Sequence, residues 1–404
     1  MKALLSLAGQ FRFNSAMKTA DRLEQIQPFR VMEVLDRAAA HEAAGHDVVH
    51  LEVGEPDFAT CEDITAAGVR ALEGGHTKYT SALGIAPLRE AVSAYYERQG
   101  LKVDPARVVI TAGASGGLML LAAALLNPGD RLLVTDPGYP CNEVFAAAVG
   151  GRAVKVPVSA NQRFQPSWQD LEAAWNDSVA GALLASPANP TGTMLSREAL
   201  VEIASGCSRR GFLIMDEIYQ GLTFGEVPYQ SVLEVSDEAI VLQSFSKYFG
   251  MTGWRLGWVV LPDALLEGVT KLAQNLFISP PTVAQHAALA AFGDRAMQEH
   301  EARRAEFGRR RERLLAGLQD IGLDVPVASD GAFYLYVDVS ATGLSSADFC
   351  RRVLDEHYVA VTPGADFGSH LSDRFVRMSY TTDMASIERA LERLARAVAA
   401  FQAA

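Results

Sequence analysis

Short apolar runs and longer amphipathic stretches alternate along the middle of this chain. The runs are Val108–Thr111, Leu132–Thr135, Ala153–Val158, Ala182–Ala185, Phe212–Met215, Ala239–Gln243 and Leu256–Leu261. Several lack the in/out alternation of a half-exposed strand, which predicts strands covered on both faces. Helical patterns separate most of them, for example over Gly117–Leu126 and Ser196–Arg210. A β-then-α rhythm of this kind predicts an α/β fold, with a mostly parallel sheet sandwiched by helices.

Toward the ends the pattern changes. Val31, Val34, Leu35 and Ala38 form one apolar stripe, so residues 21–47 are expected to hold an amphipathic helix after Pro28. Residues 283–318, rich in Ala, Glu and Arg, read as long helix. Short strands are expected at Ala332–Val337 and Phe375–Ser379, and helices at Ser346–Glu356 and Met384–Phe401. We therefore expect a large domain over 55–280 and a smaller α+β domain from both chain ends, 21–54 and 281–404. Residues 1–20 are expected to be a disordered extension, with Met17 a second candidate start.

At 404 residues the chain is long enough for two to three domains. Its apolar fraction of 49% and charged fraction of 21% are ordinary for a globular protein, which excludes disordered, collagen-like and coiled-coil classes. A net charge of −12 argues against nucleic-acid binding while leaving room for one small anion site. Cys61, Cys141, Cys207 and Cys350 form no Cys-x-x-Cys pair, so neither a zinc knuckle nor a redox motif is suggested. His41 and His46 miss the i, i+4 spacing of a zinc-binding helix, and no metal is expected. The longest apolar stretch, Leu118–Leu126, is too short to span a membrane. Residues 3–8 are apolar, but Gln10 and Arg12 come directly after, so the expectation is a cytoplasmic protein without a signal peptide.

In doubly wound sheets, ligands sit beyond the carboxyl ends of the strands. The predicted strands here lead into Gly113-Ala-Ser115-Gly-Gly117, Asp136-Pro-Gly-Tyr139, Ser186-Pro-Ala-Asn189, Asp216-Glu-Ile-Tyr219 and Ser244-Phe-Ser246-Lys247. If these ends converge, one crevice holds a carboxylate, an amine, two phenols, an amide and several hydroxyls. A lysine crowded by apolar neighbours and a second cation, such as Arg255, has a lowered pKa and can act as a nucleophile. Asp216 could hold a proton on a ring nitrogen. The helix opened by Gly113–Ser115, together with Ser244, Ser246 and Arg255, could bind a phosphate. A phosphorylated aldehyde with a ring nitrogen fits this set, and pyridoxal 5′-phosphate is such a molecule.

The segment Ser244-Phe-Ser-Lys247-Tyr-Phe-Gly-Met-Thr-Gly-Trp-Arg255-Leu-Gly257 resembles the lysine signature of class I aminotransferases, the fold type I pyridoxal-phosphate enzymes. Gly54-Glu-Pro-Asp-Phe58, Tyr79-Thr-Ser-Ala-Leu-Gly84, Asn189-Pro-Thr-Gly192, Asp216-Glu-Ile-Tyr219 and Arg377-Met-Ser379 extend the resemblance over nearly the whole chain. It implies that Lys247 is the Schiff-base lysine that moves the proton, and that Asp216 pairs with the pyridine nitrogen. Tyr219 and Asn189 would bond the phenolic oxygen, and Tyr139 would stack on the ring. Ala114, Ser115, Ser244, Ser246 and Arg255 would hold the phosphate. Arg377, with Gly54 and Asn189, would bind the substrate α-carboxylate. Tyr79 would reach the phosphate in a neighbouring subunit, which implies a homodimer with shared sites. The activity implied is ping-pong transfer of an amino group from an L-amino acid to a 2-oxo acid.

Two segments depart from the family pattern: the phosphate loop Gly113-Ala-Ser-Gly-Gly, and Phe367-Gly-Ser-His370 before Arg377. Both bear on side-chain preference. A carbon–sulfur lyase on the same scaffold remains an alternative. A more remote one is a serine hydrolase, because Gly113–Gly117 also fits a nucleophile elbow, with Ser115 served by Asp366 and His370. That reading leaves the lysine segment unexplained. A regulatory role on DNA is disfavoured, since the residues before Asp21 are too few for a helix-turn-helix unit.

Overall fold

Strand residues with large apolar side chains on both faces need cover on both faces, and the sheet of this protein has it. The computed structural model describes residues 18–26, 30–225 and 230–402. Its strands are β1 (Val49–His50), β2 (Val108–Thr111), β3 (Arg131–Asp136), β4 (Arg152–Pro157), β5 (Val179–Ala185), β6 (Phe212–Asp216), β7 (Ile240–Ser244), β8 (Gly257–Val260), β9 (Tyr334–Asp338), β10 (Val359–Ala360), β11 (Thr362–Pro363) and β12 (Phe375–Ser379). Seven of them form one sheet in the order β2-β8-β7-β6-β5-β3-β4. The strands agree with the expected runs to within a few residues.

Successive side chains in the sheet feed two apolar layers. Val109, Ile214, Leu242 and Val259 pack with Leu118 and Leu121 of the Gly113–Leu125 helix and Val269 of the Asp263–Leu276 helix. Leu213, Met215, Val241 and Val260 face the other way and join a core that includes Leu200 and Ile203 of the Arg197–Ser208 helix. The edge strand β4 is half-exposed, as befits a strand with only one neighbour.

The sheet is not wholly parallel. β8 runs antiparallel to both β2 and β7, pairing Gly257 with Thr111 and with Ser244. This reversal positions the site. The other strands present their carboxyl ends along one edge, whereas β8 begins there, so Arg255, two residues before its start, returns to that same edge.

A second, three-stranded antiparallel sheet has the order β11-β12-β9. β1 pairs in parallel with β10, with Val49 opposite Val359, so the two ends of the chain pack against each other. One expectation is corrected here. The stretch 283–318 is not one helix: Thr282–Leu289 is followed by a 3-10 turn at Ala290–Phe292 and then by Asp294–Asp320. Gly293 is extended at the break, and buried Phe292 anchors the bend among Tyr95, Phe245 and Phe249. Near the other end, the amphipathic helix expected after Pro28 is present at Arg30–Ala43, and a short 3-10 turn at Asp21–Gln25 comes before it. The expected extension over residues 1–20, with Met17, lies outside the described residues up to residue 17, and Pro28 lies outside them too.

Candidate active site

The strand ends open on a cavity of about 500 Å³. Twelve of the thirteen residues singled out from the sequence line it: Gly54, Ala114, Ser115, Tyr139, Asn189, Asp216, Tyr219, Ser244, Ser246, Lys247, Arg255 and Arg377. Tyr79 does not; it is 78% exposed on the outside of this chain.

Asp216 is the last residue of β6 and is buried. Its Oδ1 accepts one hydrogen bond, from the Ile218 N–H at 3.2 Å. Burial disfavours its charged form and pushes its pKa up to about 7, against the pull of Lys247. Lys247 follows β7 and donates from Nζ to the Gly54 carbonyl at 2.7 Å. Burial lowers its pKa to about 8; Arg377 and Arg255 lower it too, while Glu55 and Asp216 act in the opposite direction. The pair is therefore a buried acid and a buried base, each held near neutrality by desolvation, a pattern concentrated at reactive sites.

The anion-binding end is built around glycine. Gly113 opens its helix at φ +71°, and a Cβ there would lie 2.6 Å from Arg255 Nη2. A Cβ on Gly257 would lie 2.9 Å from the Ala114 amide nitrogen. Both positions lack a side chain, and this lets the guanidinium approach the amino end of the helix. Helix amides and an arginine aimed at one spot suit a phosphate. Ser244 and Ser246 are buried beside them, with the Ser246 N–H donating to Ser244 Oγ at 3.0 Å.

Arg377 sits on β12 and is 5% exposed. Nη1 donates to Asn189 Oδ1 at 3.0 Å and Nη2 to the Glu52 carbonyl at 2.6 Å, whereas buried Nε has no partner among the described residues. The guanidinium lies 4.4 Å from the ring centre of Tyr334 and 4.8 Å from that of Phe367. An arginine with donors to spare in a cavity can take a carboxylate.

Tyr334 is a site residue that the sequence reading missed. It lines the cavity, and its phenol is 2.9 Å from that of Tyr219. It fell within an expected strand, and the face it would turn inward depended on pairing with β12. Burial holds the Tyr219 phenol well above its ordinary range, so it stays protonated. Glu52, Glu55 and the apolar residues Val31, Met32 and Leu35 of the Arg30–Ala43 helix also line the cavity without having been singled out.

The serine-hydrolase alternative finds no triad among the described residues. Ser115 lines the cavity, but neither Asp366 nor His370 does. The backbone of His370 is instead held by Asp136 at 3.2 Å. No group of three or more metal-ligating side chains occurs among the described residues, and no helix among them is long and apolar enough to cross a membrane.

The family model for aminotransferases of classes I and II matches residues 46–394. The chain is 41% identical to the valine–pyruvate aminotransferase of Mycobacterium tuberculosis over 372 residues, 91% of this chain and 96% of that one. It is 32% identical to the aspartate aminotransferase of Bacillus subtilis over 393 residues, 95% and 99% of the two chains. Among solved structures, an aminotransferase from Mycobacterium tuberculosis matches with a TM-score of 0.92 at 40% identity, covering 95% of this chain and 100% of that one. The aspartate aminotransferase of Thermus thermophilus matches with a TM-score of 0.88 at 33% identity, covering 94% and 99%.

Proposed function

Because the chain belongs to the class I and II aminotransferase family and is an aminotransferase, we propose that it works with pyridoxal 5′-phosphate joined to Lys247 and shuttles amino groups from an L-amino acid to a 2-oxo acid in ping-pong order. The observation that carries this reading is the convergence of Lys247, Asp216, Arg255 and Arg377 on one cavity, where burial lowers the lysine and raises the aspartate. The glycine-backed approach of Arg255 to the Gly113 helix supports the phosphate end of the same fit.

When bound, the cofactor supplies an electron sink for the carbanion that forms at the substrate α-carbon. This chain's residues do the rest. Asp216 regains its charge against a protonated ring nitrogen and holds that proton in place. Arg255, Ser244, Ser246 and the amides of Ala114 and Ser115 hold the phosphate. Tyr139 covers the ring face, and Tyr219 and Asn189 donate to the phenolic oxygen. Arg377, assisted by Asn189 and Gly54, fixes the α-carboxylate. The Lys247 amine would take the proton from the substrate α-carbon and deliver it to the cofactor's aldehyde-derived carbon, and it would run the reverse transfer with the 2-oxo acid acceptor.

The homodimer belongs to this proposal. Tyr79 is exposed next to the Lys78 carbonyl, which accepts from Thr282 Oγ1 at 2.8 Å, and exposed Leu276, Phe277 and Ile278 lead into the same helix. An apolar surface around an exposed phenol suits a second copy that receives Tyr79.

A half-reaction tests the reading. An amino donor given alone to the loaded enzyme is expected to release one 2-oxo acid per active site and then stop until a 2-oxo acid acceptor is added. Continuous release of a 2-oxo acid with ammonia, without acceptor, contradicts transamination and supports the lyase alternative.

A further inference from the structure

Tyr334 lines the cavity, and the roles above leave it unused. It opens β9 and is buried, at 1% exposure. Arg377 on β12 pairs with Tyr336, two residues further along β9, so Tyr334 and Arg377 are diagonal neighbours on one face of the small sheet. The Arg377 guanidinium accordingly lies 4.4 Å from the Tyr334 ring centre. Tyr334 also meets Tyr219 edge to face, with ring centres 5.7 Å apart and phenol oxygens 2.9 Å apart. Gly54 makes room for the Tyr334 phenol, because a Cβ there would lie 2.5 Å from its oxygen.

Two hydroxyls at this distance attract only if one points its proton at the other. Burial raises the pKa of both phenols, so each holds one proton at neutral pH. The pair therefore has two arrangements, and they are not equivalent for a ligand in the cavity. If Tyr219 donates to Tyr334, its only proton points into the wall. If Tyr334 donates to Tyr219, the Tyr219 proton is free to face the cavity. The Arg377 charge opposes the rise at Tyr334 and stands against that ring, which makes Tyr334 a readier donor.

We propose that Tyr334 is a positioning residue: it donates to Tyr219 and so commits the single Tyr219 proton to the phenolic oxygen of the cofactor. The inference rests on Tyr219 facing that oxygen, as proposed above. Once Tyr219 donates outward, a proton from Tyr334 keeps the 2.9 Å contact attractive. Accepting from Tyr334 also polarises the Tyr219 hydroxyl and strengthens its own donation. A donor on the phenolic oxygen draws off negative charge that would otherwise hold a proton on the nitrogen joining Lys247 to the cofactor. It therefore lowers the pH at which that nitrogen loses its proton.

The test follows the visible absorbance of the cofactor-loaded enzyme against pH, without substrate, since its midpoint reports that proton. Tyr334→Phe keeps the ring against Arg377 and removes only the hydroxyl. The midpoint is expected to rise by about 0.3–1 pH unit, because one unit corresponds to roughly one whole hydrogen bond and Tyr334 passes on part of it. Tyr219→Phe is expected to raise the midpoint further. In the Tyr219→Phe background, Tyr334→Phe is expected to add nothing, because no Tyr219 proton is left to direct. An unchanged or lowered midpoint in Tyr334→Phe overturns the inference. So does a rise as large in the Tyr219→Phe background as in the wild-type one, which would place the action of Tyr334 outside Tyr219. If Tyr219→Phe itself leaves the midpoint in place, the assignment of Tyr219 to the phenolic oxygen falls, and this inference falls with it.

Discussion

Lys247 and Asp216 line one cavity, and burial moves them in opposite directions, the amine down to about 8 and the carboxyl up to about 7. Desolvation opposes charge on either group, so each waits for a partner that restores it. This has a measurable pH signature before any substrate is present. A lowered lysine is protonated below about pH 8 and neutral above it, and only the neutral amine attacks an aldehyde. The rate at which the apoenzyme takes up pyridoxal phosphate should therefore rise through about pH 8. Arg377 is one of the cations that lower Lys247, so Arg377→Leu should move that midpoint upward. A midpoint near that of an ordinary lysine in the wild-type chain would show that the amine is not perturbed. At this scale the sequence was highly legible. The run Ser244-Phe-Ser-Lys247 could be placed from sequence because it follows an unbroken apolar strand, and the structure brings its hydroxyls and amine together at that strand's end. Tyr334 and Glu52 were not legible, because each becomes a cavity residue only through partners far away in the chain or in the fold, Tyr219 and Arg377 for one, His50 and Arg377 for the other.

The elements hold these residues by close approaches that leave little room for change. Asp136, at the end of β3, accepts from the Ser369 and His370 N–H groups at 3.0 and 3.2 Å and from Ser369 Oγ at 3.0 Å. The Gly138 N–H donates to the Phe367 carbonyl at 2.9 Å. This clamp ties the segment before Arg377 to the loop that carries Tyr139, and Phe367 lies against the Arg377 guanidinium. Gly368 makes it possible: its φ is +152°, and a Cβ there would fall 1.9 Å from Asp136 Oδ1. Gly368→Ala should lower stability by about 1–3 kcal/mol, the usual cost of forcing atoms into a packed site. It should also raise KM for the amino donor more than it lowers kcat, since the clamp borders the proposed carboxylate site. Urea unfolding and steady-state kinetics check both; a variant with the wild-type midpoint and KM would show that the loop relaxes freely. The strands were read well because burial on both faces leaves an unbroken apolar run. The expected helix over 283–318 was misread at Gly293 because the Ala- and Glu-rich composition continues through the bend, which Phe292 sets by packing against residues far off in the sequence. The reversal of β8 was equally hidden, since an apolar run carries no direction.

For the whole molecule, the proposed account requires two chains. Tyr79 is exposed here and absent from its own cavity, which suits a phenol that completes a partner's phosphate site. Tyr79→Phe should weaken cofactor retention by about 0.5–3 kcal/mol, the range for one hydrogen bond, charge-assisted or not. Hybrids of Tyr79→Phe with Lys247→Ala subunits should be more active than the two parents together, because one of their two sites regains every group. Hybrids without that gain, or a fully active monomer, would remove Tyr79 from the site and leave Lys247 in it. The central claim is narrower than the dimer: that Lys247 is the residue joined to pyridoxal phosphate. Borohydride reduction of the loaded enzyme and then peptide mapping tests it most directly. The account predicts a single stable pyridoxyl label, on the peptide containing Lys247. A label on another lysine, or none after the cofactor has been supplied, would contradict it.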